Sequence, residues 1–121
     1  MKFLLDTNFL LIPGKFKVDV FSELNKFGKP ELFTLDFVLK ELEIIAKRKD
    51  KSAGHAKIGF DLIKNKKIKI LKSKGKSTDK EIIRLAQQGF AVCTQDKGII
   101  KALKGKTEII TLRQKKYLIK I

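Results

Sequence analysis

Phe3-Leu4-Leu5-Asp6-Thr7-Asn8 passes in a single step from an uninterrupted apolar run to three polar residues. A strand buried on both faces reads as such a run, and in a parallel sheet it delivers polar groups at its carboxyl end. The pattern recurs later. Phe90-Ala91-Val92-Cys93 is apolar throughout and gives way to Thr94-Gln95-Asp96. If these two strands are neighbours, Asp6 and Asp96 stand at one rim of the sheet, where the functional groups of open α/β sheets gather.

Working outward, Val18, Phe21, Leu24 and Phe27 recur at helical spacing until Gly28 and Pro30 stop them, which predicts a helix over 18–27. Residues 31–35 follow as a brief strand. From Asp36 the apolar positions Val38, Leu39, Leu42, Ile45 and Ala46 predict a second helix, ending in the charged loop Lys47-Arg48-Lys49-Asp50-Lys51. Ala53, Ala56, Phe60 and Ile63 mark a further helix, residues 68–71 a strand, and Lys72 to Lys76 a flexible basic loop. Thr78 and Glu81 stand in the S/T-x-x-E relation of a capping box, which puts Thr78 at the N-cap and Asp79 at the first helical position. Gly89 closes that helix. Ile99, Ile100 and Leu103 give a short helix, residues 108–112 a strand, and 117–120 allow one more. Strands alternating with helices predict an α/β sandwich around a mostly parallel sheet with right-handed crossovers.

With 121 residues, 43% of them apolar, the chain can bury a sizeable core, and no internal repeat or linker divides it, so 1–121 is expected to be one domain. Cys93 is the only cysteine, which excludes an intrachain disulfide and suits a cytoplasmic setting. Apolar stretches of three or four residues are far short of the roughly 20 that span a bilayer, and no charged-then-apolar leader opens the chain. No membrane partner is expected. Lys and Arg number 28 against 13 Asp and Glu, a net charge of +15, so a polyanion is the natural partner and RNA or DNA the natural polyanion. Lysines 64, 66, 67, 69, 72, 74 and 76 form a cluster that could track phosphates.

Within this basic chain the acids are few, and four of them draw together in the predicted fold. Asp79 opens the helix that precedes Phe90–Cys93, so that helix start faces the same rim as Asp6 and Asp96. Glu41 shares a helix face with Val38, Leu42 and Ile45 and is turned inward, where a carboxylate needs a cation or a donor to offset desolvation. Glu43, on the other side, is placed to pair with Lys47 four residues on. Taken singly, Asp6, Asp79 and Asp96 are ordinary capping residues. Taken together with Glu41 they would repel without a counter-ion, and an oxygen-only ligand set selects Mg²⁺ or Mn²⁺ over zinc.

Phe3-Leu4-Leu5-Asp6-Thr7-Asn8, Val38-Leu39-Lys40-Glu41-Leu42, Ser77-Thr78-Asp79 and Val92-Cys93-Thr94-Gln95-Asp96-Lys97 resemble, in order and spacing, the motifs of PIN-domain nucleases. The resemblance covers nearly the whole chain. It implies a three-layer α/β/α sandwich with a five-stranded parallel sheet and an endoribonuclease activity dependent on Mg²⁺ or Mn²⁺. By position it implies Asp6, Glu41, Asp79 and Asp96 as metal ligands, with Asn8 and Thr94 orienting carboxylates or water. The roles open to such a protein are RNA processing within an assembly, or a toxin held by a small protein antitoxin; a second copy of the chain is a further candidate partner. A non-catalytic RNA-binding module with the same fold is the alternative.

Other signals carry less. Gly75-Lys76-Ser77 looks like the tail of a phosphate-binding loop, but the earlier glycine it requires falls at Ile70. His55 has no Cys or Asp at ligand spacing and reads as a packing or surface residue, and Cys93 reads as inert core. Of the aromatics, Phe16 and Tyr117 are the remaining candidates for stacking on bases.

Overall fold

The computed structural model describes residues 1–121. Its elements run β1 (Lys2–Leu5), α1 (Thr7–Phe16), α2 (Val20–Leu24) with a 3₁₀ turn at Asn25–Phe27, β2 (Glu31–Leu35), α3 (Asp36–Ala46), α4 (Lys51–Asn65), β3 (Lys69–Leu71), α5 (Thr78–Ala86), β4 (Ala91–Cys93), α6 (Lys97–Leu103), β5 (Ile109–Arg113) and β6 (Tyr117–Lys120). The sheet order is β3-β2-β1-β4-β5-β6. All pairs are parallel except β5 with β6.

The chain therefore moves outward from β1 through β2 to β3, returns across the sheet to β4 beside β1, and continues to β5 on the other side. Right-handed crossovers in opposite directions put their helices on opposite faces. In keeping with that, α1, α3 and α4 pack on one another, and α5 packs on α6. Phe3, Leu4 and Leu5 of the central strand are fully buried, as the unbroken apolar run predicts. The reversal of strand order lies between β1 and β4, paired from Phe3 with Ala91 to Leu5 with Cys93.

Two features depart from the sequence expectation. The sheet has six strands rather than the five that the resemblance implies, because Tyr117–Lys120, where the sequence allowed one more strand, pairs antiparallel with β5. Its hairpin turns at Gln114 and Lys115, with φ of 54° and 58°, closed by a hydrogen bond from Lys116 N to Arg113 O of 3.1 Å. This geometry favours Gly, Asn or Asp, and none of them is present at the turn to announce it. The second is α1, a helix over Thr7–Phe16, with Pro13 and Gly14 inside it, where the sequence reading assigned no element. Gly14 sits there for contact: a Cβ on it would lie 2.9 Å from the Cα of His55, and one on Gly59 of α4 would lie 3.2 Å from Leu10 O. The two helices approach through paired glycines. His55 is accordingly a packing residue of the α1–α4 contact. Cys93 is fully buried, with its thiol pKa pushed up by burial. No helix is long and apolar enough to cross a membrane.

Candidate functional site

At the carboxyl ends of β1 and β4, Leu5 and Cys93 lie side by side and the next residues, Asp6 and Thr94, meet. Asp6 N donates to Cys93 O at 3.0 Å, which continues the ladder one step beyond the strands. The Asp6 carboxylate caps α1: Oδ1 accepts from Thr7 N at 2.8 Å, and Oδ2 accepts from Thr94 Oγ1 at 2.7 Å. Only 5% of Asp6 is exposed, and its pKa is pushed up to about 6. Burial is the main cause, opposed by the Thr94 and Thr7 hydrogen bonds and reinforced by the nearby Glu41 and Asp79 carboxylates.

Thr94 is the hinge of the arrangement. While donating to Asp6, its hydroxyl accepts from Asp96 N at 3.1 Å, so one buried side chain holds two of the four acids. Asp96 is the N-cap of α6, with Oδ1 accepting from Ile99 N at 3.0 Å. Asn8 Oδ1 accepts from Gln95 N at 2.9 Å, fastening the β4 loop to the first turn of α1. Gln95 Oε1 accepts in turn from Leu112 N at 2.6 Å and Thr111 Oγ1 at 2.5 Å, so the loop is braced on β5 as well.

Glu41 is half-buried on α3, beside the fully buried Val38 and Leu42, as its helix position predicts. Two hydroxyls hold it: Thr7 Oγ1 donates to Oε1, and Thr78 Oγ1 donates to Oε2 at 2.8 Å. Thr7, to which sequence reasoning gave no role, and Thr78, which it read only as a helix N-cap, are thus residues of the site; Thr7 directly follows Asp6 and Thr78 directly precedes Asp79. Asp79 is more open. Its pKa is nonetheless raised, by desolvation first and then by Asp96 and Glu41.

The capping box at α5 is shifted by one residue from expectation. Ser77 is the N-cap, its Oγ accepting from Lys80 N at 3.4 Å, which makes Thr78 and Asp79 the first and second helical residues and frees Thr78 to reach Glu41. Glu81, 4% exposed, accepts from Lys74 N at 3.1 Å and pairs with Arg84 at 2.8 Å. Asp36 Oδ1 accepts from Ser73 N at 2.9 Å. The loop at 72–76 is therefore pinned from both sides rather than free, and Asp36 is a rim acid with a structural task. Glu43 forms no ion pair with Lys47; the ion pairs are Lys26–Glu23, Arg84–Glu81 and Lys120–Glu108.

The fold brings Asp6, Glu41, Asp79 and Asp96 to one rim, near enough to perturb one another, but no group of three or more His, Cys, Asp or Glu is arranged to hold a metal ion. Each oxygen of Asp6 and Glu41 has a threonine hydroxyl or backbone N–H as partner, and Asp96 Oδ1 accepts from Ile99 N. The oxygen-only donor set itself fits a hard divalent cation.

Repulsion across the rim has a measurable consequence. Asp96→Asn keeps the cap on Ile99 and removes the charge facing Asp79, so in chelator at low salt the variant is expected to melt higher than the native chain, and to gain less from added Mg²⁺ or Mn²⁺. Paired melting curves at neutral pH test this. A lower melting temperature in chelator with an undiminished gain from metal would make Asp96 a structural cap alone.

The family model described as a PIN like domain matches residues 3–115. Seventeen chains among solved structures are also similar. One is the PIN domain endonuclease Utp24, at 22% identity and a TM-score of 0.76, covering 97% of this chain and 88% of that one. Another is a domain of a functionally unknown protein from Methanocaldococcus jannaschii DSM 2661, at 18% identity and a TM-score of 0.56, covering 93% and 91%. At these identities the likeness is one of fold. No curated protein matches the chain at comparable significance.

Proposed function

We propose that this chain, which belongs to the PIN-like domain family, is an endoribonuclease dependent on Mg²⁺ or Mn²⁺, with its reaction centre at the rim acids Asp6, Glu41, Asp79 and Asp96. One observation carries the reading. Where an acid of this chain has a shifted pKa, Glu23, Asp36, Asp50 and Glu81 are shifted down, while the two shifted up, Asp6 and Asp79, both belong to this rim. Carboxylates kept at a cost to folding, at the topological switch point of a parallel sheet, mark a functional site. In this reading residues 1–121 act as one PIN-like domain, in RNA processing or under the control of a small protein antitoxin.

The four acids would hold the cation. When bound, it would lower the pKa of a water and offset charge growing on the attacked phosphate. The chain's own contribution is orientation. Thr94 and Thr7 fix the plane of the Asp6 carboxylate, Thr7 and Thr78 fix Glu41, and Asn8 with Gln95 holds the loop that carries Asp96. In the reaction the water oxygen bonds to phosphorus, the bond to the 3′ oxygen breaks, and that oxygen takes up a proton, leaving a 5′-phosphate.

The second reading, a non-catalytic RNA-binding module, draws on the hydroxyl clamps, which satisfy the acids without an ion. Incubation with mixed structured and single-stranded RNAs separates the two. Cleavage to 5′-phosphate ends is expected with Mg²⁺ or Mn²⁺ and none with chelator. Binding without cleavage in both would favour the module.

A further inference from the structure

A pocket of acids repels the phosphates it must process, so the affinity for a strand has to come from beside it. Glu41 and Arg48 are seven residues apart, which places them along one side of α3 and its extension, roughly 10 Å apart at 1.5 Å per residue. The Arg48 N–H to Ile45 O bond of 3.0 Å carries that direction past the last turn of the helix. A cleft of about 240 Å³ lies along it, lined by Thr7, Glu41, Ile44, Ile45 and Arg48.

Arg48 also lines the next cleft, of about 510 Å³, together with Leu11, Lys15, Lys51 and His55. Leu11 and Lys15 then border a third, of about 190 Å³, that ends at Asn8 and Gln95. Thr7, Leu11 and Lys15 are spaced by four and form one stripe of α1. The three clefts share lining residues, Arg48 between the first two and Leu11 and Lys15 between the last two, and so adjoin beside this stripe to make one trench next to the carboxylate site.

Charge identifies the occupant. Lys15, Arg48 and Lys51 take part in no ion pair of the chain. The acid among them, Asp50, is committed to capping α4 through Ser52 N at 2.9 Å and the Ser52 hydroxyl. Arg84 is bound to Glu81 and Arg113 ends β5, which leaves Arg48, near Asp50 but in no ion pair, as the guanidinium beside the site. Such a group grips a phosphate through two parallel hydrogen bonds, where a lysine offers a point charge. Ile44, 64% exposed, presents an aliphatic surface in the cleft between Glu41 and Arg48. Within the lysine cluster at 64–76, Lys66 and Lys67 are less well placed, because they precede β3 at the amino edge of the parallel sheet, opposite the rim, whereas Lys72, Lys74 and Lys76 follow it.

We propose that this trench holds the single-stranded RNA flanking the cleaved bond, with Arg48, Lys15 and Lys51 binding a phosphate more than one nucleotide away and Ile44 supporting the intervening base. The inference rests on the nuclease reading and adds to it the path of the strand. The test is anisotropy of a short unstructured RNA in chelator across a salt series, for the native chain, Arg48→Gln/Lys15→Gln, and Lys66→Gln/Lys67→Gln. The trench variant is expected to bind about 10-fold more weakly, with a salt slope shallower by about 1.4 for two lost contacts to a single strand, and the other variant to change less. In cleavage with Mn²⁺ its KM rises by a similar factor and kcat holds. A trench variant that binds and cleaves as the native chain does, or a larger effect of the Lys66 pair, overturns the assignment and leaves the nuclease reading standing. Native protein that neither binds nor cuts RNA overturns both. Tighter binding of a polyglutamate peptide than of RNA, sensitive to the same variant, gives the trench to an acidic protein instead.

Discussion

Asp6→Asn is expected to lose metal-dependent cleavage by on the order of 10³-fold while becoming more stable than the native chain in chelator at pH 7. Both effects come from one charge. Raising a carboxyl from 3.8 to about 6 corresponds to about 3 kcal/mol of folding free energy between its protonated and ionised forms. Because the folded value lies above the unfolded one, the native state holds the extra proton between pH 4 and 6. The stability gained from that proton is full below pH about 4 and is lost as pH rises through 6. Asparagine carries no charge, keeps an acceptor for Thr7 N–H, and turns its amide toward the Thr94 hydroxyl, which accepts as well as donates. The gain in chelator should therefore approach about 2–3 kcal/mol at pH 7, or on the order of 5–10 °C, and vanish near pH 4. Acids whose pKa falls on folding, such as Glu81, work in the opposite direction in both proteins, so the difference between the two melting curves isolates Asp6. A difference that does not vary with pH would show that Asp6 is not the group under strain.

The residues that set this trade-off were legible in sequence because they sit where elements begin. Asp6 and Asp96 end apolar runs, and a strand's carboxyl end is visible as the point where such a run breaks. Glu41 was legible through helical periodicity alone, since its neighbours Val38 and Leu42 mark the buried face. What holds it was not legible. Thr7 and Thr78 lie 34 and 37 residues from Glu41, and no local pattern relates them. The same limit misplaced the α5 cap by one residue: Ser77 and Thr78 are both good caps, and the choice was made by Glu41, which takes the Thr78 hydroxyl and leaves Ser77 to the helix. Helix α1 was hidden for a tertiary reason as well. No element was read over it, and its Gly14 finds a purpose only in the close approach of His55. The final strand turns on Gln114 and Lys115 in a conformation that glycine or asparagine would have advertised.

Thr94→Val should show how far the site depends on a hydroxyl that touches no substrate. Valine matches threonine in shape and fits the fully buried space, but it withdraws the donor to Asp6 Oδ2 and the acceptor for Asp96 N–H together. Leaving a buried polar group without its partner costs about 1–3 kcal/mol, more where the group is charged. The hydrogen bond from Thr94 is the larger of the two that hold the Asp6 pKa down against burial, so without it that pKa moves above 6. Two consequences are expected. The variant melts lower than the native chain by several degrees at pH 8 and by less at pH 5, because a protonated Asp6 has less need of a donor. The acid limb of the metal-dependent cleavage profile also moves to higher pH, since the carboxylate must lose its proton before it can serve a cation. Thr94→Ser restores the hydroxyl and should bring the acid limb back, even if the lost methyl leaves some instability. A loss of stability equal at both pH values, with an unmoved acid limb, would reduce Thr94 to a filler of the core and leave Asp6 to be held by Thr7 alone.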